Sequence, residues 1–268
     1  MRLTWLVLAF GLTCAHVAQA ACADPARFID AEGTCLIIDR IAEGAGDKRP
    51  LVVVVHGDGT GVGDRYLRSI RGMGERLAPV APQAAIYYLQ RPGYASSLGR
   101  SQGFNNPDGD EYTRGNVATM AAAVRALRAR VDAGRVLWLG HSGGAAHGAL
   151  ILNRHHGLID AAVLVGCPCG DVAQWRQHRN SQRGRYTASL WPNSLSPARE
   201  VANLPAGLPI RLLTGARDDN TLPQFAEAYV AAASARGADV TLTLLPGLGH
   251  AAVADAPEVV EAAAALLR

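Results

Sequence analysis

Two hydrophobic patterns alternate along the chain. Apolar-rich runs at residues 36–38, 51–55, 84–89, 136–139, 161–166, 209–214 and 240–245 predict strands, and the unbroken Leu51-Val52-Val53-Val54-Val55 is the strongest of them. A β-branched run without polar interruption suits a strand covered on both faces, whereas a strand with one wet face would alternate. Between these runs apolar residues recur every three or four positions: Leu67, Ile70, Met73 and Leu77, then Val117, Met120, Ala121, Val124, Leu127 and Val131. Together with the segments 145–152, 222–236 and 256–267 they predict helices. Strand and helix in alternation imply an α/β fold: a mostly parallel, doubly wound sheet with helices on both faces, binding ligands at the carboxyl ends of its strands. One interval breaks the rhythm. About forty residues, including a polar, arginine-rich stretch, separate the run ending at Gly166 from the one starting at Pro209, too few for a second domain, so a small flap is expected over residues 171–203.

Composition narrows the classes. A length of 268 residues with 49% apolar and 18% charged positions suits one globular α/β domain, and a net charge of +3 gives no reason to expect a nucleic-acid partner. Arg2, the apolar stretch that follows it and Ala18-Gln19-Ala20 have the layout of a cleaved secretory signal over residues 1–20, leaving a mature domain of residues 21–268 that is secreted or periplasmic and inserts in no membrane. Lipid attachment at Cys22 is the weaker alternative. Removal of the signal takes Cys14 away and leaves Cys22, Cys35, Cys167 and Cys169, an even number in an oxidising compartment. Three pairings are open. Cys22 with Cys35 is the expected one, and Cys167-Pro168-Cys169 holds either a labile disulfide or two thiols. No cofactor and no metal site is expected. Asn105, Asn106, Asp108, Asp110 and Glu111 do not have the spacing of a calcium loop and read as a solvated turn, or as acids facing a cationic substrate group.

Candidate chemistry centres on Gly140-His141-Ser142-Gly143-Gly144, between the 136–139 run and a Gly/Ala-rich helix. A sharp strand-to-helix turn lifts a serine hydroxyl clear of its neighbours and places it beside the outward N–H groups of the helix start. An acid follows a later strand in Gly215-Ala216-Arg217-Asp218-Asp219, and a histidine follows the next in Gly247-Leu248-Gly249-His250. His56-Gly57, after the valine strand, and Arg91-Pro92-Gly93-Tyr94, after the next, complete an ordered set. On these pieces the chain resembles the α/β-hydrolase superfamily from Leu51 to its end, and within it is similar to secreted esterases and to the catalytic domain of prolyl-oligopeptidase-type peptidases.

The resemblance implies a serine hydrolase in which His250 takes the proton of Ser142 and Asp218, with Asp219 as runner-up, orients the imidazole. It also implies an oxyanion hole from the N–H groups of Gly143 and Asp58. Tyr94, Trp175, Arg176 and Arg179 are the candidate substrate contacts. Five flap arginines, Arg176, Arg179, Arg183, Arg185 and Arg199, form either a solvated basic face or the seat of a substrate carboxylate. His56 is expected to order its loop and His147 to pack behind the serine. The expected activity is cleavage of a small-molecule or polymer-derived carboxylic ester. A serine peptidase or aminoacyl amidase is the alternative, and a non-catalytic binding module a more distant one.

Overall fold

A computed structural model of the protein describes residues 22, 24–59, 62–105 and 110–268. The signal segment, Asn106 and Asp108 lie outside the described residues. Among the described residues ten strands and six α-helices follow one another: β1 (Phe28–Ala31), β2 (Thr34–Ala42), β3 (Pro50–Val55), α1 (Asp64–Leu77), β4 (Ala85–Leu89), the short pair β5 (Ala95–Ser96) and β6 (Gly99–Arg100), and α2 (Arg114–Arg130). Then come β7 (Arg135–His141), α3 (Gly143–Arg154), β8 (Ala161–Val165), α4 (Val172–Gln182), β9 (Pro209–Gly215), α5 (Pro223–Ser234), β10 (Asp239–Leu245) and α6 (Pro257–Leu267). Among the described residues one sheet runs in the order β1-β2-β4-β3-β7-β8-β9-β10, with β1 and β2 antiparallel to their neighbours and every later pairing parallel.

The valine run shows why the sheet is doubly covered. Successive strand residues point to opposite faces, so Leu51, Val53 and Val55 join one core layer with α2, α3 and α5, while Val52 and Val54 join the other with α1 and α6. All five are fully buried. The four apolar positions of α1, Leu67, Ile70, Met73 and Leu77, face that second layer as their spacing predicted. The final strand is different: β10 is an edge strand and mostly exposed, so it carries a weaker apolar signal.

Four elements were not expected. Strand β1 is only four residues long and pairs with β2 through a tight turn in which Glu32 and Gly33 both have positive φ (53° and 92°), the geometry of a two-residue hairpin made without the usual Asn-Gly signal. The β5–β6 pair is two residues a side. Inside the flap, α4 starts where the Asp171 side chain accepts the Gln174 N–H at 3.1 Å; Asp three residues before Gln is a capping pattern visible in the sequence. The rest of the flap carries two short 3-10 turns, Pro197–Arg199 and Val201–Asn203.

Among the described residues two disulfides are present. Cys22–Cys35 ties the described N-terminus to β2 across 13 residues, as expected, and Cys167 is joined to Cys169 at the carboxyl end of β8. No helix of the described residues is long and apolar enough to cross a membrane.

Candidate active site

Ser142 sits between the last residue of β7 and the first of α3 with φ 54° and ψ −121°, a conformation that costs a non-glycine residue about 1–3 kcal/mol. The surroundings hold it there. Its N–H donates to the Val165 carbonyl of β8 at 2.8 Å, and its own carbonyl accepts the Ala146 N–H at 3.1 Å. Side chains at the flanking glycines would break the turn: a β-carbon on Gly140 would come within 2.6 Å of the Gly144 backbone, and one on Gly144 within 2.6 Å of the His56 carbonyl.

The loops after β9 and β10 bring two more groups to this turn. His250 Nε2 lies 3.0 Å from Ser142 Oγ, and His250 Nδ1 lies 2.8 Å from Asp218 Oδ2. With the Nδ1 proton donated to the carboxylate, Nε2 is left to accept from the serine hydroxyl. Asp218 is held in turn: its Oδ1 accepts the N–H groups of Asn220 (2.9 Å) and Thr221 (2.8 Å), and the Thr221 hydroxyl lies 2.7 Å from its Oδ2. Burial pushes this carboxyl up, but the hydrogen bonds from His250 and Thr221 outweigh it and hold the pKa below the ordinary carboxylate range. Asp219, the runner-up, is exposed, and its main-chain carbonyl accepts from His178 and Gln182 of α4.

The serine opens into a cleft of about 540 Å³, whose walls include Asp58, Tyr66, Glu111, Trp175, Trp191 and four arginines, Arg176, Arg179, Arg183 and Arg185. Gly143 is the first residue of α3, so its N–H is among the amides a helix leaves without an internal partner. Asp58 lies on the opposite loop. Its carboxylate accepts from Arg91 Nη1 at 2.6 Å and from the Tyr112 hydroxyl. Arg91 also reaches Glu111 at 3.3 Å, and is only 1% exposed. Burial works against the charge of this guanidinium, but Tyr94, Asp58 and Glu111 around it raise its pKa above the usual value.

A sequence model of the prolyl oligopeptidase family matches residues 93–268. The chain belongs to the prolyl oligopeptidase family. No curated protein matches its sequence. Among solved structures this family member is similar to a serine hydrolase involved in carbazole degradation (19% identity, 90% of this chain and 97% of that one covered, TM-score 0.61). It is likewise similar to the esterase Pf2001 of Pyrococcus furiosus (15%, 90% and 90%, 0.64) and the proline iminopeptidase of Mycobacterium smegmatis (17%, 90% and 97%, 0.62). At these identities the likeness concerns the fold, which is that of the α/β hydrolases. Family and fold together make the protein a serine hydrolase of the esterase and peptidase kind.

Of the candidate residues in this prolyl oligopeptidase family member, Ser142, His250, Asp58, Trp175, Arg176 and Arg179 line the cleft, and Asp218 is buried behind His250. Tyr94 does not line it, which corrects the sequence expectation. Its ring is 1% exposed and packs between the Arg91 guanidinium (4.8 Å) and the His56 ring (4.6 Å), behind the cleft wall. Two histidines are structural. His56 Nδ1 donates to the Gly57 carbonyl at 2.8 Å while Nε2 accepts the Arg91 N–H at 3.1 Å, ordering the loop after β3; His147 is buried with Nδ1 3.0 Å from the Gly143 carbonyl. Burial lowers both pKa values well below the ordinary range.

Tyr66, His141 and Thr221 were missed. The Tyr66 hydroxyl accepts the Gly57 N–H at 2.8 Å and lies 2.7 Å from His141 Nδ1, and His141 Nε2 lies 2.9 Å from the His250 carbonyl. Burial, with the charge of His250, pushes the His141 pKa down to about 3, so the neutral ring accepts from Tyr66 and donates to His250. Thr221 stands three residues after Asp218, a spacing common in polar turns, so it carried no distinguishing signal.

Proposed function

We propose that the protein is an extracytoplasmic serine esterase that cleaves carboxylic esters of small-molecule or polymer origin through an acyl-enzyme at Ser142. The observation that carries the mechanism is the line of contacts from Asp218 through His250 to Ser142, at 2.8 and 3.0 Å, on a strained strand-to-helix turn.

Ser142 Oγ attacks the ester carbonyl as its proton passes to His250 Nε2, and the imidazolium that forms is stabilised by Asp218. The negative charge on the carbonyl oxygen is met by the N–H groups of Gly143 and Asp58. Collapse breaks the bond to the alcohol oxygen, which leaves with the proton from His250. Water then gives a proton to His250 as it attacks the acyl carbon, and the carboxylic acid departs as Ser142 regains its hydrogen.

Ester rather than aminoacyl substrates are supported by the state of the nearby acids. Holding a substrate amine takes an uncommitted carboxylate, but Asp58 and Glu111 in the cleft both face Arg91, and Asp110 accepts from Asn193 and Ser194 at 2.8–2.9 Å. An extracytoplasmic setting is supported by the two disulfides and by the signal-like N-terminus. The competing peptidase activity is favoured by the family itself.

A fluorophosphonate probe and a substrate panel test the proposal together. The wild type should be labelled, Ser142→Ala should not, and kcat/KM should be highest for short-chain or aryl p-nitrophenyl esters. Faster cleavage of prolyl or aminoacyl amides would make the protein a peptidase, and a folded, unlabelled wild type would make it a binding module.

A further inference from the structure

One side of α4 presents three hydrogen-bond donors to the turn that follows β9. Trp175, His178 and Gln182 stand at intervals of three and four residues, the spacing that stacks side chains along one helix face. Trp175 Nε1 donates to the Asn220 carbonyl at 3.1 Å, while His178 Nε2 and Gln182 Nε2 both donate to the Asp219 carbonyl at 2.7 Å. A carbonyl oxygen has two lone pairs, so Asp219 can take both donors at once.

Those two carbonyls are the far ends of the two peptide groups that grip Asp218. The peptide joining Asp219 to Asn220 turns its N–H to Asp218 Oδ1 at 2.9 Å, and the peptide joining Asn220 to Thr221 turns its N–H to the same oxygen at 2.8 Å. A peptide group is planar, so a donor that fixes its carbonyl also fixes the direction of its N–H. The donor polarises the group as well, and hydrogen bonds chained in this way strengthen one another where water is scarce. Trp175 is 3% exposed and Asp218 2%, so the chain that starts at the indole runs in such surroundings. Beyond Asp218 it continues to His250 Nδ1 at 2.8 Å, and His250 Nε2 lies 3.0 Å from Ser142 Oγ.

The body of the protein holds the ends of this turn, through the Asp218 N–H on the Gly215 carbonyl and the Thr221 hydroxyl on the Gly166 carbonyl, each at 3.0 Å. Helix α4 holds its middle. We propose that Trp175, His178 and Gln182 are positioning residues of the reaction: they set the aim and the strength of the two N–H groups on Asp218, and through that carboxylate the orientation of His250. This role presupposes the Asp218–His250–Ser142 line of the proposed function, but not the choice of ester over amide.

The test uses the full-length mature protein and the rate of fluorophosphonate labelling at Ser142, which needs no particular substrate. Trp175→Phe and the pair H178L/Q182M remove the donors and keep much of the bulk, and His178→Gln keeps an N–H for the Asp219 carbonyl. H178L/Q182M should slow labelling about tenfold, within the hundredfold that a misplacement of about 1 Å can cost. Trp175→Phe should slow it in the same direction, and His178→Gln should stay closer to the wild type than His178→Leu. With p-nitrophenyl acetate, H178L/Q182M should lower kcat and leave KM within about twofold.

The deciding measurement repeats the substitutions in an Asp218→Ala background. Groups that act through the carboxylate have nothing left to act on there, so H178L/Q182M should slow labelling little further. Equal slowing in the two backgrounds, or an unaltered rate in a folded H178L/Q182M, overturns the proposal. Should that pair fail to fold, Trp175→Phe in both backgrounds carries the same comparison. If Asp218→Ala alone is labelled at the wild-type rate, the acid of the proposed function is wrong, and the role of α4 falls with it.

Discussion

His141, the residue before Ser142, hydrogen-bonds the main-chain carbonyl of His250 through Nε2 at 2.9 Å, so the serine turn braces the loop that carries the proposed base. On the other side of the ring, Nδ1 accepts from Tyr66, whose oxygen accepts the Gly57 N–H. One neutral imidazole thereby connects the base loop to the loop proposed to supply an oxyanion donor.

Tyr66→Phe removes both hydrogen bonds of that hydroxyl and leaves a largely buried N–H without a partner, at a cost of about 1–3 kcal/mol. As a positioning residue, Tyr66 should show the change mainly in kcat, with a fall of about tenfold or more and a smaller change in KM. Steady-state kinetics beside a melting curve checks this. A lower melting temperature with kcat unaltered would reduce the hydroxyl to a purely structural role.

Asp218→Asn should lower kcat by about four orders of magnitude with the fold intact, because the amide cannot hold the imidazole in the productive tautomer. Asp219→Asn, on an exposed side chain, should change it little, and Thr221→Val should fall between them, since it removes one of the contacts that hold the Asp218 carboxylate. Measured kcat values in the order Asp219 above Asp218 for severity would move the acid one residue along.

Gly143→Ala tests how closely the two loops meet. A β-carbon there would collide with the Asp58 carboxylate and come within 2.6 Å of Arg91 Nη1, so the Asp58–Arg91 pair must shift. Displacing one oxyanion donor costs about a hundredfold in kcat. An active Gly143→Ala enzyme would show that the Asp58 loop moves without penalty and contributes no donor.

Acid should destabilise the fold in a defined window. Burial holds His141 down to about 3 and lowers His56 and His147 well below the ordinary 6.5, so the folded protein keeps these rings neutral where the unfolded chain protonates them. Their contribution is complete above about pH 6.5 and is lost as pH falls below it, for His141 down to about 3, where the loss runs at about 1.4 kcal/mol per pH unit. Melting temperatures across that range should fall steadily in the wild type and less steeply in His147→Gln. Parallel slopes would place the acid sensitivity elsewhere.

The Cys22–Cys35 bond closes a short loop at the edge of the sheet, and such a cross-link is worth about 3 kcal/mol. Cys35→Ser should lower the melting temperature of the mature protein, and non-reducing peptide mapping should recover Cys22 joined to Cys35. Cys22 found as a thiol or joined to Cys167 or Cys169 would refute the pairing.

Much of this protein was determined locally. The valine run of β3, the apolar spacing of α1 and α2, and the Gly-x-Ser-x-Gly turn depend on periodicity and on backbone geometry that neighbouring residues dictate, and these are legible in the chain itself. The serine motif, the chain order and the α/β-hydrolase resemblance they carry nominated Ser142, Asp218 and His250, because a parallel sheet delivers the ends of successive strands to one edge. Contacts across the fold were another matter. Tyr94 was expected in the cleft on its place after β4, but tertiary packing turned its ring inward against Arg91 and His56, where a cation and an aromatic face satisfy each other. Tyr66 and His141 are 75 residues apart, and the Asp58–Arg91–Glu111 cluster gathers three loops. No local pattern marks such pairs, since any buried charge or hydroxyl takes as its partner whichever group the folded backbone carries within about 3 Å. The flap divides the same way: its arginines are plain in the sequence, but only the docking of the flap decided that Arg176, Arg179, Arg183 and Arg185 line the cleft of Ser142 while Arg199 pairs with Asp171.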